Sequence, residues 1–116
     1  MQIASLADHG VFDPTKIAAV LRTSTAEVAS TVGLATDALQ RRKRVHSDKT
    51  QRRLRELVEV LNKVEPRFGS KLIAYAWYRS EPLAGFDGQT AMQLVQAGKA
   101  QQVLEYIDAV DAGVYT

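Results

Sequence analysis

The chain has 116 residues, of which 46% are hydrophobic and 24% charged, and it contains no cysteine. These proportions are typical of a folded domain and exclude general disorder. Without cysteine there are no disulfides, thiolate metal sites or cysteine nucleophiles, and a reducing, cytoplasmic setting is favoured. The first ten residues lack the features of a signal peptide, and no later stretch is predicted to span a membrane.

The net charge of +2 conceals an uneven distribution of charge along the chain. Residues 41–55 contain eight basic residues and one acidic residue, a local charge of +7. From Glu81 onward, Lys99 is the only basic residue, against five acidic ones. A basic centre and an acidic end indicate two different partners.

Apolar periodicity predicts helices throughout, and no alternating pattern predicts a strand. The first helix is expected to begin after Asp13, with proline at its first position. The second begins at Ser24, with Glu27 at capping-box spacing, and stops at Gly33. A third helix is predicted for the segment TDALQRRKR, with Thr36 as its N-cap. The predicted fold class is all-α.

The longest helix is predicted to begin at Ser47 or Asp48 and to be closed by Pro66. The helix KLIAYAWYR follows, capped by Ser70. Its inward face is predicted to consist of Leu72, Ile73, Ala76 and Trp77. After a loop, a short helix is expected from Thr90 to Gly98 and a last helix over about residues 99–112, with Val103, Leu104, Ile107 and Val110 inward.

The stretch AEVASTVGLATDALQRRKR has the features of a helix-turn-helix. Such a unit needs a small residue in its first helix, a glycine in the turn and apolar residues at fixed offsets. Ala29, Gly33, Val28, Leu34 and Leu39 fill these positions. The stretch resembles the helix-turn-helix repressors of the Xre type, which implies a DNA-binding module.

By that resemblance, the segment ATDALQRR is the recognition helix. Gln40 is able to contact adenine, and the arginines guanine or phosphate. The predicted DNA-binding residues are Thr36, Asp37, Gln40, Arg41, Arg42, Lys43 and Arg44. Because one recognition helix buries too little surface for specificity, a homo-oligomer is expected. The alternative is that the basic run is a solvated face and the helix-turn-helix only a structural core.

Residues 70–116 resemble the toxin-binding domain of the Xre/MbcA/ParS antitoxins. The matching features follow one another in order, and they are Trp77, Leu83, Gly85, Leu94, Val95, Gly98, Val103, Leu104 and the ending QVLEYIDAVDAGVYT. The family commonly has proline where this chain has Ala91, a position at which alanine is tolerated. The resemblance implies a helix-turn-helix module over residues 1–66 packed with a helical toxin-binding domain over residues 67–116.

The resemblance further implies a type II antitoxin whose partner is a RES-domain toxin that consumes NAD or transfers ADP-ribose from it. Operator DNA is the second expected partner. The antitoxin itself is expected to be no enzyme, to need no cofactor and to bind no metal, because His9 and His46 are not spaced with carboxylates as ligands. The alternative is a stand-alone transcriptional regulator whose C-terminal half only dimerises.

The last residues, GVYT, are predicted to be an apolar, aromatic plug with a terminal carboxylate. A pocket for a dinucleotide pyrophosphate offers cationic groups and an apolar slot, which such a segment is able to fill. The predicted toxin-binding residues are Arg79, Asp108, Asp111, Gly113, Val114, Tyr115 and Thr116. Two alternatives stay open: the tail folds back on Trp77 or Phe86 of its own chain, or the two aspartates are merely solvated.

Overall fold

The fold is described from a computed structural model. The structure describes residues 7–8 and 11–113. For residues 7, 8, 42 and 43 it describes the backbone but not the side chain. The elements in chain order are β1 (Ala7–Asp8), β2 (Val11–Phe12), α1 (Pro14–Val20), α2 (Thr25–Thr31), α3 (Arg42–Val45), α4 (Asp48–Phe68), α5 (Lys71–Ser80), α6 (Ala91–Gln96) and α7 (Ala100–Asp111). The all-α prediction is confirmed.

Five side chains begin helices where the sequence predicts helix starts. Asp13, Ser24, Ser47, Ser70 and Thr90 each accept a hydrogen bond from a backbone N–H of the first turn that follows. Each such cap is worth about 1 kcal/mol, because it satisfies a donor that the helix itself leaves unpaired. The helix starts are therefore determined locally.

One short hairpin was not expected. Strands β1 and β2 pair antiparallel, with Ala7 opposite Phe12. Gln51 of α4 holds the hairpin in place: its Oε1 accepts from the backbone N–H of Phe12 at 2.7 Å, and its Nε2 donates to the Phe12 carbonyl at 3.1 Å. The prediction of no strand is wrong here because the pairing depends on a residue 39 positions away.

The prediction of a continuous recognition helix is wrong. Residues 36–40 form turns, Thr36 caps no helix, and α3 is a single turn. Three buried side chains anchor this segment, and they are Ala38, Leu39 and Val45. Four consecutive cations at residues 41–44 also repel one another, so little favours helix propagation.

Helix α4 continues past Pro66, so the prediction that this proline ends it is also wrong. The helix ends at Gly69, which is left-handed (φ 71°) and donates to the Glu65 carbonyl. Proline lacks one backbone donor, but the last turn is stabilised by Phe68, whose ring lies 6.3 Å from that of Trp77. Packing outweighs the lost hydrogen bond.

Helix α5 faces the core with the side opposite to the predicted one. Its buried residues are Ala74, Tyr75 and Tyr78, whereas Ile73 and Ala76 are exposed and Trp77 is half-buried. Both sides of the helix are apolar, so periodicity could not choose between them. Hydrogen bonds decide: the Tyr78 hydroxyl donates to the Thr31 carbonyl at 2.7 Å in the interior.

The second buried tyrosine of α5 joins an ionised carboxylate on α2. The Tyr75 hydroxyl donates to Glu27 Oε2 at 2.7 Å, and the Thr23 hydroxyl donates to the same oxygen. The Thr23 and Tyr75 hydrogen bonds hold the pKa of Glu27 below its usual value, because they favour the charged carboxylate. Burial raises the pKa of Tyr75, so that it remains a donor.

Buried side chains from both halves form one hydrophobic cluster, to which every helix except α3 contributes. The predicted helix-turn-helix residues Val28, Ala29 and Leu39 belong to it, and Leu34 packs against it. Helix α7 buries Val103 and Ile107 and leaves Leu104 and Val110 half-buried. Helix α4 spans residue 66, so the division into modules at that residue stays a prediction.

Within residues 7–8 and 11–113, no helix has the length and apolar character needed to cross a membrane.

Candidate functional site

An open groove lies beside the outward side of α5. It has a volume of about 500 Å³ and is called here the α5 groove. Its lining residues are Arg67, Phe68, Ile73, Ala76, Trp77, Ser80, Glu81 and Tyr106. Among the described side chains, Ile73 is the one large hydrophobic residue classed as exposed, at 53%. An exposed apolar surface with a polar rim is typical of an interaction site.

Aromatic side chains support the walls of the α5 groove. Phe68 and Trp77 pack with tilted rings, and Tyr106 meets Phe86 edge-to-face with centroids 5.8 Å apart. Such ring pairs contribute about 0.5–1.5 kcal/mol beyond the area they bury. The walls come from α4, α5 and α7, so the groove is fixed by tertiary packing rather than by a mobile loop.

Two ion pairs fasten the end of α7 to α4; they are called here the α4–α7 ion pairs. Lys63 Nζ donates to Asp108 Oδ1 at 2.5 Å, and Arg67 Nη2 donates to Asp111 Oδ1 at 2.6 Å. Both aspartates were predicted to bind a toxin, and both have partners within the chain. Their carboxylates are still more than half exposed.

Of the other predicted toxin-binding residues, the structure describes Arg79 and Gly113. Arg79 is exposed and lies over the ring of Tyr75, with its guanidinium carbon 4.4 Å from the ring centre. Gly113 is left-handed, with φ 83°, just beyond the end of α7. Val114, Tyr115 and Thr116 lie outside the described residues. The plug prediction therefore remains untested.

The predicted DNA-binding residues lie in turns and in the single-turn helix α3 before α4, rather than on one continuous helix. Thr36, Asp37, Gln40, Arg41 and Arg44 are exposed, and the side chains of Arg42 and Lys43 lie outside the description. Arg44 Nη1 is 3.5 Å from Asp37 Oδ1, a weak exposed pair. These five exposed residues therefore lie on an accessible surface, without a continuous recognition helix.

Two arginines of α4 are engaged within the fold. Arg53 donates to the Val95 carbonyl at 2.7 Å, at the end of α6, where a cation is favourable. Arg55 lies over the ring of Phe12 at 5.9 Å. The neighbouring Lys49 and Arg52 are exposed.

In the described part of the chain, no three His, Cys, Asp or Glu residues lie together as possible metal ligands. His46 is exposed, and His9 lies outside the described residues. The described surface carries apolar, acidic and basic patches.

Sequence reasoning missed the α5 groove, although one signal was available. Helix α5 is apolar on nearly all sides, and a helix of that kind is normally covered on all sides. The prediction assigned Leu72, Ile73, Ala76 and Trp77 to the core and so treated a surplus apolar face as an inward one. Because Tyr75 and Tyr78 form the buried face, the apolar face with Ile73 and Ala76 is left at the surface. This surplus apolar face would have indicated the groove.

Comparison with known proteins gives one family. The model of the "Antitoxin Xre/MbcA/ParS C-terminal toxin-binding domain" matches residues 63–113. No curated protein and no solved structure matches the chain. The matched segment contains the whole α5 groove and the end of α7. Residues 63–113 therefore match a C-terminal toxin-binding domain, and this match supports an Xre/MbcA/ParS-like antitoxin.

Proposed function

We propose that this antitoxin neutralises a cognate RES-domain toxin, which consumes NAD or transfers ADP-ribose from it. In this proposal Gly113–Thr116 enters the toxin's active site and excludes the dinucleotide. The observation that carries it is the position of the α7 end, which the α4–α7 ion pairs hold at the surface of the matched toxin-binding domain. Gly113 then lets the chain leave the helix.

The chemistry of the tail suits a dinucleotide pocket. Such a pocket needs cations for the pyrophosphate and flat apolar slots for the bases. Tyr115 offers a ring of low conformational entropy, and Val114 offers apolar contact. The acidic surface that precedes the tail, at Asp108 and Asp111, suits a toxin with a cationic pocket rim.

The α4–α7 ion pairs contribute more to the orientation of the end of α7 than to the stability of the fold. Exposed ion pairs contribute about 0–1 kcal/mol each. Two adjacent pairs nevertheless fix the last turns of α7 against α4, where the end of a helix would otherwise fray. A tail that starts from a fixed helix end loses less entropy when it enters a pocket.

The test uses the reading frame next to the gene for this chain. Expressed alone, its product is expected to arrest growth and to deplete NAD or ADP-ribosylate a target. Co-expression with this antitoxin is expected to restore growth and to yield a complex that co-purifies. A neighbouring product that is harmless, or that does not bind the antitoxin, contradicts the proposal and favours a stand-alone regulator.

We propose a second role in which the antitoxin binds its own operator DNA as a homo-oligomer. Exposed basic side chains before α4 and on α4 favour it, and they are Arg41, Arg44, Lys49 and Arg52. Turns present side chains less regularly than a recognition helix. We therefore expect these residues to contact phosphate, which gives affinity and salt dependence rather than sequence choice.

A salt titration of binding to the promoter duplex tests this second role. Each phosphate contact contributes about 0.9 to the slope of log K against log salt concentration, so Arg41→Ala is expected to lower that slope by about 0.9. Lys99→Ala is the control, because Lys99 is exposed in the acidic half of the chain. No binding at low salt contradicts the DNA role.

A further inference from the structure

The α5 groove is a surface that the tail proposal does not use. Helix α5 buries Ala74, Tyr75 and Tyr78 in its own core and still presents Ile73, Ala76 and part of Trp77 outward. Exposing Ile73 to water is unfavourable for the free antitoxin. An outward face that is apolar beside an open groove favours a partner that covers it.

We propose that the α5 groove docks an apolar helix or loop of the toxin that carries one basic residue opposite Glu81. This inference rests on the proposed function, because it names a second contact with the same partner. The occupant is an aliphatic segment that fills the space between Ile73 and Tyr106, with its cation at the Glu81 end of the groove.

Position in the fold favours the toxin as the occupant. Every lining residue of the groove lies between Arg67 and Tyr106, within the toxin-binding domain of residues 63–113. Arg67 lines the groove and also binds Asp111, two residues before Gly113. The groove and the origin of the tail therefore form one continuous surface, which a single partner is able to cover.

Charge favours a cationic group on that partner. Glu81 is the C-cap residue of α5 and is exposed. A carboxylate at the C-terminal end of a helix meets the negative end of the macrodipole, which is unfavourable for the free antitoxin. Arg67, the cation that lines the groove, is engaged by Asp111. A lysine or arginine of the toxin beside Glu81 relieves this repulsion.

The two contacts predict separate roles. The groove covers apolar area and so supplies affinity, whereas the tail enters the active site and so supplies inhibition. A groove variant weakens binding but still inhibits fully when enough antitoxin is present. A tail variant binds through the groove and leaves the toxin active.

The experiment measures two quantities with purified toxin: the Kd of the complex, and the residual toxin activity at saturating antitoxin. Ile73→Asp is expected to raise Kd at least about 30-fold, a loss typical of an interface anchor, with full inhibition kept at saturation. Glu81→Lys is expected to raise Kd and to reverse its dependence on salt. Because both side chains are exposed, neither variant is expected to lower the melting temperature, and Glu81→Lys is expected to raise it slightly by placing a cation at the end of α5.

Ile73→Leu and Ala19→Asp are the matched controls. The first keeps an apolar side chain in the groove, and the second places the same charge on the exposed surface of α1, outside the matched domain. Both are expected to bind toxin as the wild type does. Weakened binding by Ala19→Asp equal to that of Ile73→Asp would contradict a local effect of the groove.

Three other results would overturn the inference, and each identifies a different reason for its failure. Wild-type antitoxin that fails to bind the toxin refutes the proposed function itself. Wild-type binding together with an unchanged Kd for Ile73→Asp refutes only the groove contact. Sedimentation that turns from dimer to monomer in Ile73→Asp, with an unchanged toxin Kd, shows that a second copy of this chain occupies the groove.

Discussion

Removal of Gly113–Thr116 is expected to leave a folded antitoxin that no longer inhibits its toxin. Helix α7 ends at Asp111, and its buried residues Val103 and Ile107 lie well before the deletion, so the core is retained. Without the tail the dinucleotide pocket of the toxin stays open even when the antitoxin is bound, so the toxin is expected to keep nearly full activity. Residual NAD turnover at saturating antitoxin is the measurement.

The matched control replaces Gly113–Thr116 by Gly-Ser-Gly-Ser and so keeps the length of the tail. It is expected to behave like the deletion, because it removes the side chains of Val114 and Tyr115. Circular dichroism establishes that both variants are folded. Full neutralisation by either variant contradicts the plug.

Gly33→Ala is expected to destabilise the fold by about 3 kcal/mol, the sum of two effects. A left-handed backbone costs a residue with a Cβ about 1–2 kcal/mol, and Gly33 has φ 79°. The added Cβ would also lie 3.0 Å from the carbonyl oxygen of Gln96 and 3.2 Å from the Cα of Gln96. Both are backbone atoms, so no change of side-chain rotamer can relieve the contact. Overpacking of that kind adds roughly 1–3 kcal/mol. Urea denaturation measures the loss.

Gly85→Ala separates the two effects, because Gly85 has nearly the same backbone angle (φ 83°) but no atom within 4 Å of the added Cβ. It is expected to cost about 1–2 kcal/mol, from the backbone alone. The difference between the two variants measures how closely α6 approaches the turn after α2. Equal losses would contradict that close approach.

Local signals in the sequence predicted the starts of α1, α2, α4, α5 and α6. A capping side chain and its backbone partner lie within three residues, as for Ser70 and Ile73, so their pairing needs no knowledge of the fold. The same holds for Thr90 and Gln93, which form a full capping box. Left-handed glycines after α2, α4 and α6 are equally local.

Features that depend on distant residues were not predictable in this way. The inward side of α5 is set by the bond from Tyr78 to Thr31, residues 47 positions apart. The continuation of α4 beyond Pro66 depends on Phe68 packing against Trp77 of the next helix. In each case two arrangements agree with the local pattern, and tertiary contacts choose between them.

The same distinction between local and distant determinants applies to the candidate site. The acidic character of the C-terminal half was evident from composition, but the partners of Asp108 and Asp111 lie about 45 residues away on α4. The α5 groove depends on three helices that meet, so no sequence window contains it. The role of the tail was predicted from its residue types together with the family resemblance, and it remains a prediction.

The most direct test of the tail contact replaces Tyr115 by a photo-crosslinking phenylalanine analogue in the antitoxin–toxin complex. Illumination is expected to join this position to a residue that lines the toxin's dinucleotide pocket, and excess of a non-reactive NAD analogue is expected to suppress the product. A crosslink to Trp77 or Phe86 of the same antitoxin chain, undiminished by the analogue, would contradict occlusion by the tail.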